Sequence, residues 1–68
     1  MRGLRLQREA KGMSQMVIAQ LLGVTQGCVS QWEKGTSMPR ADKLMKLAGL
    51  LGCTVDELLG NDPAEAAG

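Results

Sequence analysis

An all-α fold, a single compact domain of five short helices, is what this sequence predicts, and three observations carry the prediction. Apolar residues make up 44% of the chain, yet they are mostly Leu, Ala, Met and Val, with a lone aromatic, Trp32; the strand formers Ile, Tyr and Phe are nearly absent, which argues against a sheet. The apolar residues recur at helical spacing, most clearly at Leu44, Leu47, Ala48 and Leu51, an i, i+3, i+4, i+7 stripe. Glycines at 12, 23, 35 and 52 cut the chain into pieces of helix length. With 68 residues there is room for one small domain, which buries only about 60% of the surface its unfolded chain exposes.

The elements follow in order. The first helix is expected over Arg2 to Lys11, with Gly12 just past its end. Ser14 caps a second helix that runs to Leu21 or Leu22 and puts Ile18, Ala19 and Leu22 on one face. Gly23 ends it. Thr25 caps a third helix reaching Glu33, whose buried face holds Val29 and Trp32 and whose other positions are small or polar. Gly35 stops it. A loop, Thr36-Ser37-Met38-Pro39, leads to a fourth helix over Arg40 to Leu51, with Pro39 just before or in its first turn, where the missing N–H costs nothing. Thr54-Val55-Asp56-Glu57 has the form of a capping box and opens a short fifth helix carrying Leu58 and Leu59. The domain is read as 1–60, and 61–68, with nothing to bury, as a flexible C-terminal tail.

Composition excludes several functions. There is no histidine, and the two cysteines, Cys28 and Cys53, are far apart, so neither a metal site nor a disulfide scaffold is expected. Free thiols and the lack of a signal peptide or membrane-length apolar run point to the cytoplasm. Without a nucleophile–base pair, a phosphate-binding loop or room for a pocket, no enzyme, cofactor or small-molecule ligand is expected. The net charge is only +1, but residues 1–40 carry +4 and residues 41–68 carry −3, so one end can approach a polyanion while the other avoids it.

The informative segment is Gln15 to Lys34, QMVIAQLLGVTQGCVSQWEK. Two helices joined by a turn of about three residues cross steeply. A large side chain at the crossing would force them apart, and Ala19 stands there. Gly23 supplies the turn's tolerance of positive φ. Val24 plugs the space between helices, where Ile18 and Leu22 meet Val29 and Trp32. This pattern resembles the helix-turn-helix of the phage-repressor family (Xre, Cro and cI type). The resemblance extends over K-G-M-S-Q (11–15), V-S-Q-W-E-K-G (29–35), L-x-K-L-A-x-x-L-G (44–52) and D-E-L-L (56–59), in order and correctly spaced across residues 4–60.

A recognition helix needs an outward face of short donors and acceptors. Gln26, at its start, can bond adenine N6 and N7 bidentately, and Ser30 and Gln31 lie one turn on. A polar helix face alone is usually only a solvated face; the surrounding motif is what raises this one. The resemblance implies that Gln26, Gly27, Ser30 and Gln31 contact bases. It also implies that Gln15 contacts the DNA backbone and braces Gln26, at a helix N-terminus suited to phosphate. Thr25 caps the recognition helix and can reach a phosphate; Lys34 and Arg40 flank a loop expected beside the sugar-phosphate backbone. Arg8 and Glu33 match a pair that, in the family, locks the recognition helix in place.

The sequence departs from the family at four positions. Gln7 replaces an apolar residue, so helix 1 is expected to pack less tightly. Gly27 removes one direct base contact and lowers helix propensity. Met13 for leucine is a mild swap. Cys28, on or near the DNA face, is read as a small space-filling residue. The function implied is a transcriptional regulator, a repressor, binding an inverted-repeat operator through the major groove of double-stranded DNA. One such unit contacts few bases, so a homodimer is expected, weak in the absence of DNA and formed through Thr54 to Gly60. The alternative is an antitoxin or co-regulator module whose main contact is another protein, but that would expose apolar residues where this chain has Gln, Gly, Ser and Gln.

Overall fold

The structure, a computed structural model, describes residues 1–60; the tail expected over 61–68 lies outside the described residues. Five helices and no strand form among them: α1 (Arg2–Ala10), α2 (Gln15–Leu22), α3 (Gln26–Lys34), α4 (Ala41–Leu51) and α5 (Val55–Leu59).

Local chemistry explains the boundaries. The Ser14, Thr25 and Thr54 hydroxyls each accept the N–H three residues on, and Glu57 returns a bond to the Thr54 N–H, completing the capping box. Gly23 takes the left-handed conformation at φ 71°, and the next N–H, of Val24, reaches back to the Ala19 carbonyl at 2.9 Å. That bond turns the chain sharply while satisfying a carbonyl the helix has left open. The same backward bond closes α1, α3 and α4, from Met13, Thr36 and Cys53. Three ends differ from the sequence expectation: α3 runs one residue further, to Lys34, with Gly35 as its cap. Lys11 has already left the helix at φ −92°, ψ 0°, so α1 ends at Ala10. Arg40 is extended at ψ 160°, yet its carbonyl accepts the Leu44 N–H at 2.8 Å; it is the cap of α4 rather than its first residue, with Pro39 buried just before it.

The core gathers Met1, Leu4, Ile18, Ala19, Leu22, Val29, Trp32, Leu47, Leu51 and Leu58. Each buried leucine, isoleucine or valine contributes about 1.5–3 kcal/mol. The stripe of α4 divides as its geometry requires: Leu47 and Leu51 are fully enclosed, Leu44 and Ala48 partly so. Helix α1 packs on α3 and α5, α2 on α3 and α4, and α4 on α5. Three ties went unread in the sequence. Gly3 lies so close to α5 that a β-carbon there would run into the Glu57 carbonyl. The Met1 amine donates to the Trp32 carbonyl at 2.7 Å, tying the start of α1 to α3. The Lys43 ammonium donates to the Leu22 carbonyl at 2.9 Å, joining α4 to the end of α2. No helix among the described residues is long and apolar enough to cross a membrane.

Candidate nucleic-acid interface

Helices α2 and α3 pack directly on one another through the three-residue turn Gly23-Val24-Thr25. Ile18, Ala19 and Leu22 meet Val29 and Trp32 beneath the turn, with Val24 half-buried against them. The small side chain of Ala19, 1% exposed, lets α2 and α3 approach. The inward face of α3 is thereby committed to the core, and Gln26, Gly27 and Gln31 are left exposed, with Ser30 half-buried. Cys28 fills space, as its size suggests, but from the inner side rather than on the outward face: it packs partly buried against the core cluster, its sulfur accepting from the Thr25 hydroxyl at 3.3 Å.

A connected polar network holds this face. Arg8 of α1 and Glu33 of α3 form an ion pair, Nε to Oε2 at 2.7 Å and Nη2 to Oε1 at 3.3 Å, with the two side chains only 13% and 7% exposed. The remaining Arg8 nitrogen donates to the Met13 carbonyl at 2.9 Å. Gln15 Nε2 donates to Glu33 Oε1 at 3.0 Å, and Gln26 Nε2 donates to Gln15 Oε1 at 3.5 Å. A chain of contacts thus runs from the part-buried pair, through the first residue of α2, to the first residue of α3. Burial pushes the Glu33 carboxyl up, but the hydrogen bonds from Arg8 and Gln15 and the charges of Arg8 and Arg5 outweigh it and hold the carboxyl below its usual range. The bond to Glu33 in turn raises Arg8 above its ordinary value, against an opposing effect of burial. Glu33 is therefore a carboxylate at neutral pH, an acceptor only.

An open cleft of about 250 Å³ lies over this network, lined by Arg5, Arg8, Gln15, Ser30, Glu33 and Lys34. It brings together five of the predicted positions, Gln15, Ser30, Lys34 and the Arg8–Glu33 pair, and adds Arg5, which sequence reasoning missed. The signal was available: Arg5 stands three residues before Arg8, on the same face of α1. Thr25 serves as the cap of α3. Gln31 lies next to the following loop, its carbonyl accepting from the Thr36 hydroxyl at 3.3 Å and its amide oxygen from the Ser37 hydroxyl at 3.5 Å. Gly27 has open space beside it, its nearest neighbour for an added β-carbon being the Thr25 hydroxyl at 3.8 Å. Arg40 lies on the surface at the head of α4 and is not part of the cleft lining. Among the described residues no group of three or more His, Cys, Asp or Glu could hold a metal ion.

A small helical domain in which a capped helix follows a glycine turn, backed by a polar network, is a helix-turn-helix of the phage-repressor type. The helix-turn-helix family model matches residues 4–58, and the chain belongs to that family. Repressor protein C2 of Salmonella phage P22 is 30% identical over 59 residues, covering 87% of this chain and 27% of its own length. An uncharacterized HTH-type transcriptional regulator of Sinorhizobium medicae (strain WSM419) is 31% identical over 65 residues, 96% of this chain and 47% of its own. The chain thus spans less than half the length of these curated relatives. The crystal structure of the P22 c2 repressor in complex with synthetic operator 9T in the presence of Tl+ matches the fold with a TM-score of 0.81 at 30% identity, over 90% of this chain and 92% of that one.

Proposed function

We propose that this chain is a sequence-specific DNA-binding transcriptional regulator, a repressor, which sets α3 into the major groove of an inverted-repeat operator. The observation that carries this reading is the polar network ending on Gln26: a solvent-facing glutamine at the head of α3 is oriented by Gln15, which is itself held by a part-buried ion pair. A merely solvated helix face needs no such orientation. The similar P22 repressor was crystallised with an operator, which supports the same partner here. Gln26, Gly27, Ser30 and Gln31 face the base edges. Gln15, Thr25, Lys34 and Arg40 contact phosphates, which fix register without reading sequence.

The regulator acts in the cytoplasm, without enzymatic activity, cofactor or small-molecule ligand, and as a dimer on DNA. Thr54 to Gly60 forms the contact between copies. Leu58 of this segment is spent on its own core, whereas Val55 and Leu59 are only half-buried, a small apolar surface that suits a weak dimer. A tight dimer by sedimentation at low micromolar concentration without DNA would contradict that assignment.

The test is selection from a pool of random-core duplexes with purified protein at moderate salt. An inverted repeat is expected, its half-sites about one helical turn apart, and Gln26→Ala should abolish preference at one base pair of each half-site, a loss of about tenfold in discrimination. Salt-sensitive binding with no consensus would leave the fold without this function and direct attention to a protein partner.

A further inference from the structure

The hydrogen-bond chain has a direction, and the direction is set at its inner end. Glu33 receives two donors from Arg8 and is a carboxylate. It can only accept. Gln15 must therefore turn its NH2 group toward Glu33, as it does at 3.0 Å, which leaves its amide oxygen facing Gln26. Gln26 then meets that oxygen with one of its own N–H groups. What remains on Gln26 for a base is one N–H and one carbonyl oxygen. That pair matches adenine, which offers the N7 acceptor and the N6 donor. Guanine offers two acceptors, N7 and O6, and would leave the Gln26 carbonyl facing an acceptor.

We infer that Glu33 is a specificity-determining positioning residue: by presenting only acceptors to Gln15 it fixes the polarity of the Gln15–Gln26 pair, and so makes the α3 glutamine read adenine in preference to guanine. The inference rests on the proposal that Gln26 reads a base.

Replacing the carboxylate by its amide isostere reverses the logic. In Glu33→Gln the shorter Arg8 bond, the one from Nε at 2.7 Å, keeps the amide oxygen on that side. The NH2 group of residue 33 then faces Gln15. Gln15 must flip to present its oxygen, and its own NH2 turns toward Gln26. Gln26 answers with its carbonyl, which frees both of its N–H groups for a base with two acceptors. The outline of the side chain is unchanged; the donor pattern toward Gln15 is inverted, and the longer Arg8 contact, from Nη2 at 3.3 Å, is given up together with the carboxylate charge, a loss that weakens both duplexes alike.

The experiment measures binding of the full chain to duplexes that differ only at the base pair whose preference Gln26→Ala removes, comparing adenine with guanine. Wild type is expected to favour adenine about tenfold or more, the range for a bidentate pair. Glu33→Gln is expected to bring that ratio to about one or invert it. Gln15→Leu, which leaves the Arg8–Glu33 pair intact, serves as the second variant: it removes the relay and is expected to cut the ratio to within about threefold. A structural role for Glu33 in docking α3 would weaken both duplexes alike and leave the ratio untouched. An adenine preference that Gln26→Ala abolishes but that both relay variants retain overturns the inference and leaves base reading by Gln26 in place. A protein with no preference that Gln26→Ala removes overturns both.

Discussion

At the scale of single residues the molecule turns on Glu33. Its carboxyl sits lower in the folded chain than the ordinary glutamate value of about 4.3. A group depressed by folding adds stability that is fully present above its unfolded value and is lost as the pH falls through the folded one. Breaking the part-buried pair from one side is also expensive, because the survivor keeps its charge with no counter-charge bonded to it. Arg8→Met should cost about 3 kcal/mol at pH 7, and its penalty should shrink as the pH falls through and below the ordinary glutamate range, where the wild type in its turn protonates Glu33 and loses the pair. Denaturant unfolding of both proteins across that range checks this; a penalty that does not vary with pH would mean that the charge on Glu33 is irrelevant to folding. Single residues were also the scale at which sequence reasoning was least complete. The candidacy of Gln26 could be read from its place after a capping threonine, and the Arg8–Glu33 pairing from the family pattern. The inward turn of Cys28 could not, because one residue's rotation about α3 decides it. Nor could the bond from Lys43 to the Leu22 carbonyl, which links residues far apart in the chain.

The helices themselves were legible because each carries its own punctuation. Ser14, Thr25 and Thr54 are side-chain caps, and the glycine turns act locally, so nothing distant was needed to find them. The head of α4 was read one residue early because Arg40 lacks a capping side chain and the boundary rests on backbone geometry alone. How the helices pack was less legible, and the glycines show why. Gly3 and Gly49 look equivalent in the sequence, each inside a helix. Gly3 lies against the backbone of α5, while Gly49 has nothing within 4 Å of an added β-carbon. Alanine should therefore have opposite effects at the two positions. Gly3→Ala is expected to prise α1 from α5 at a cost of about 1–3 kcal/mol. Gly49→Ala is expected to stabilise by about 0.5–1 kcal/mol through helix propensity and the unfolded chain, a rise of a few degrees in melting temperature. Thermal melts followed by circular dichroism separate the two signs.

For the molecule as a whole, the uneven charge noted in the sequence becomes a matter of placement. Arg5, Arg8 and Lys34 line one cleft, and the acidic Asp56 and Glu57 sit at the head of α5. Binding should accordingly weaken with salt. Lys34→Ala should weaken it by a similar factor on every duplex and reduce the slope of log affinity against log salt by about one, the signature of a single lost phosphate contact. A change confined to one sequence would instead make Lys34 a base reader. Finally, the one aromatic residue of the chain is buried on the inner side of α3, with its own carbonyl bonded to the start of α1. With no tyrosine present, ultraviolet emission from this protein comes from a single indole. Its colour reports, without any label, whether α3 is seated on the core, so that docking of α3 can be timed in a stopped-flow mixer apart from the formation of helix elsewhere.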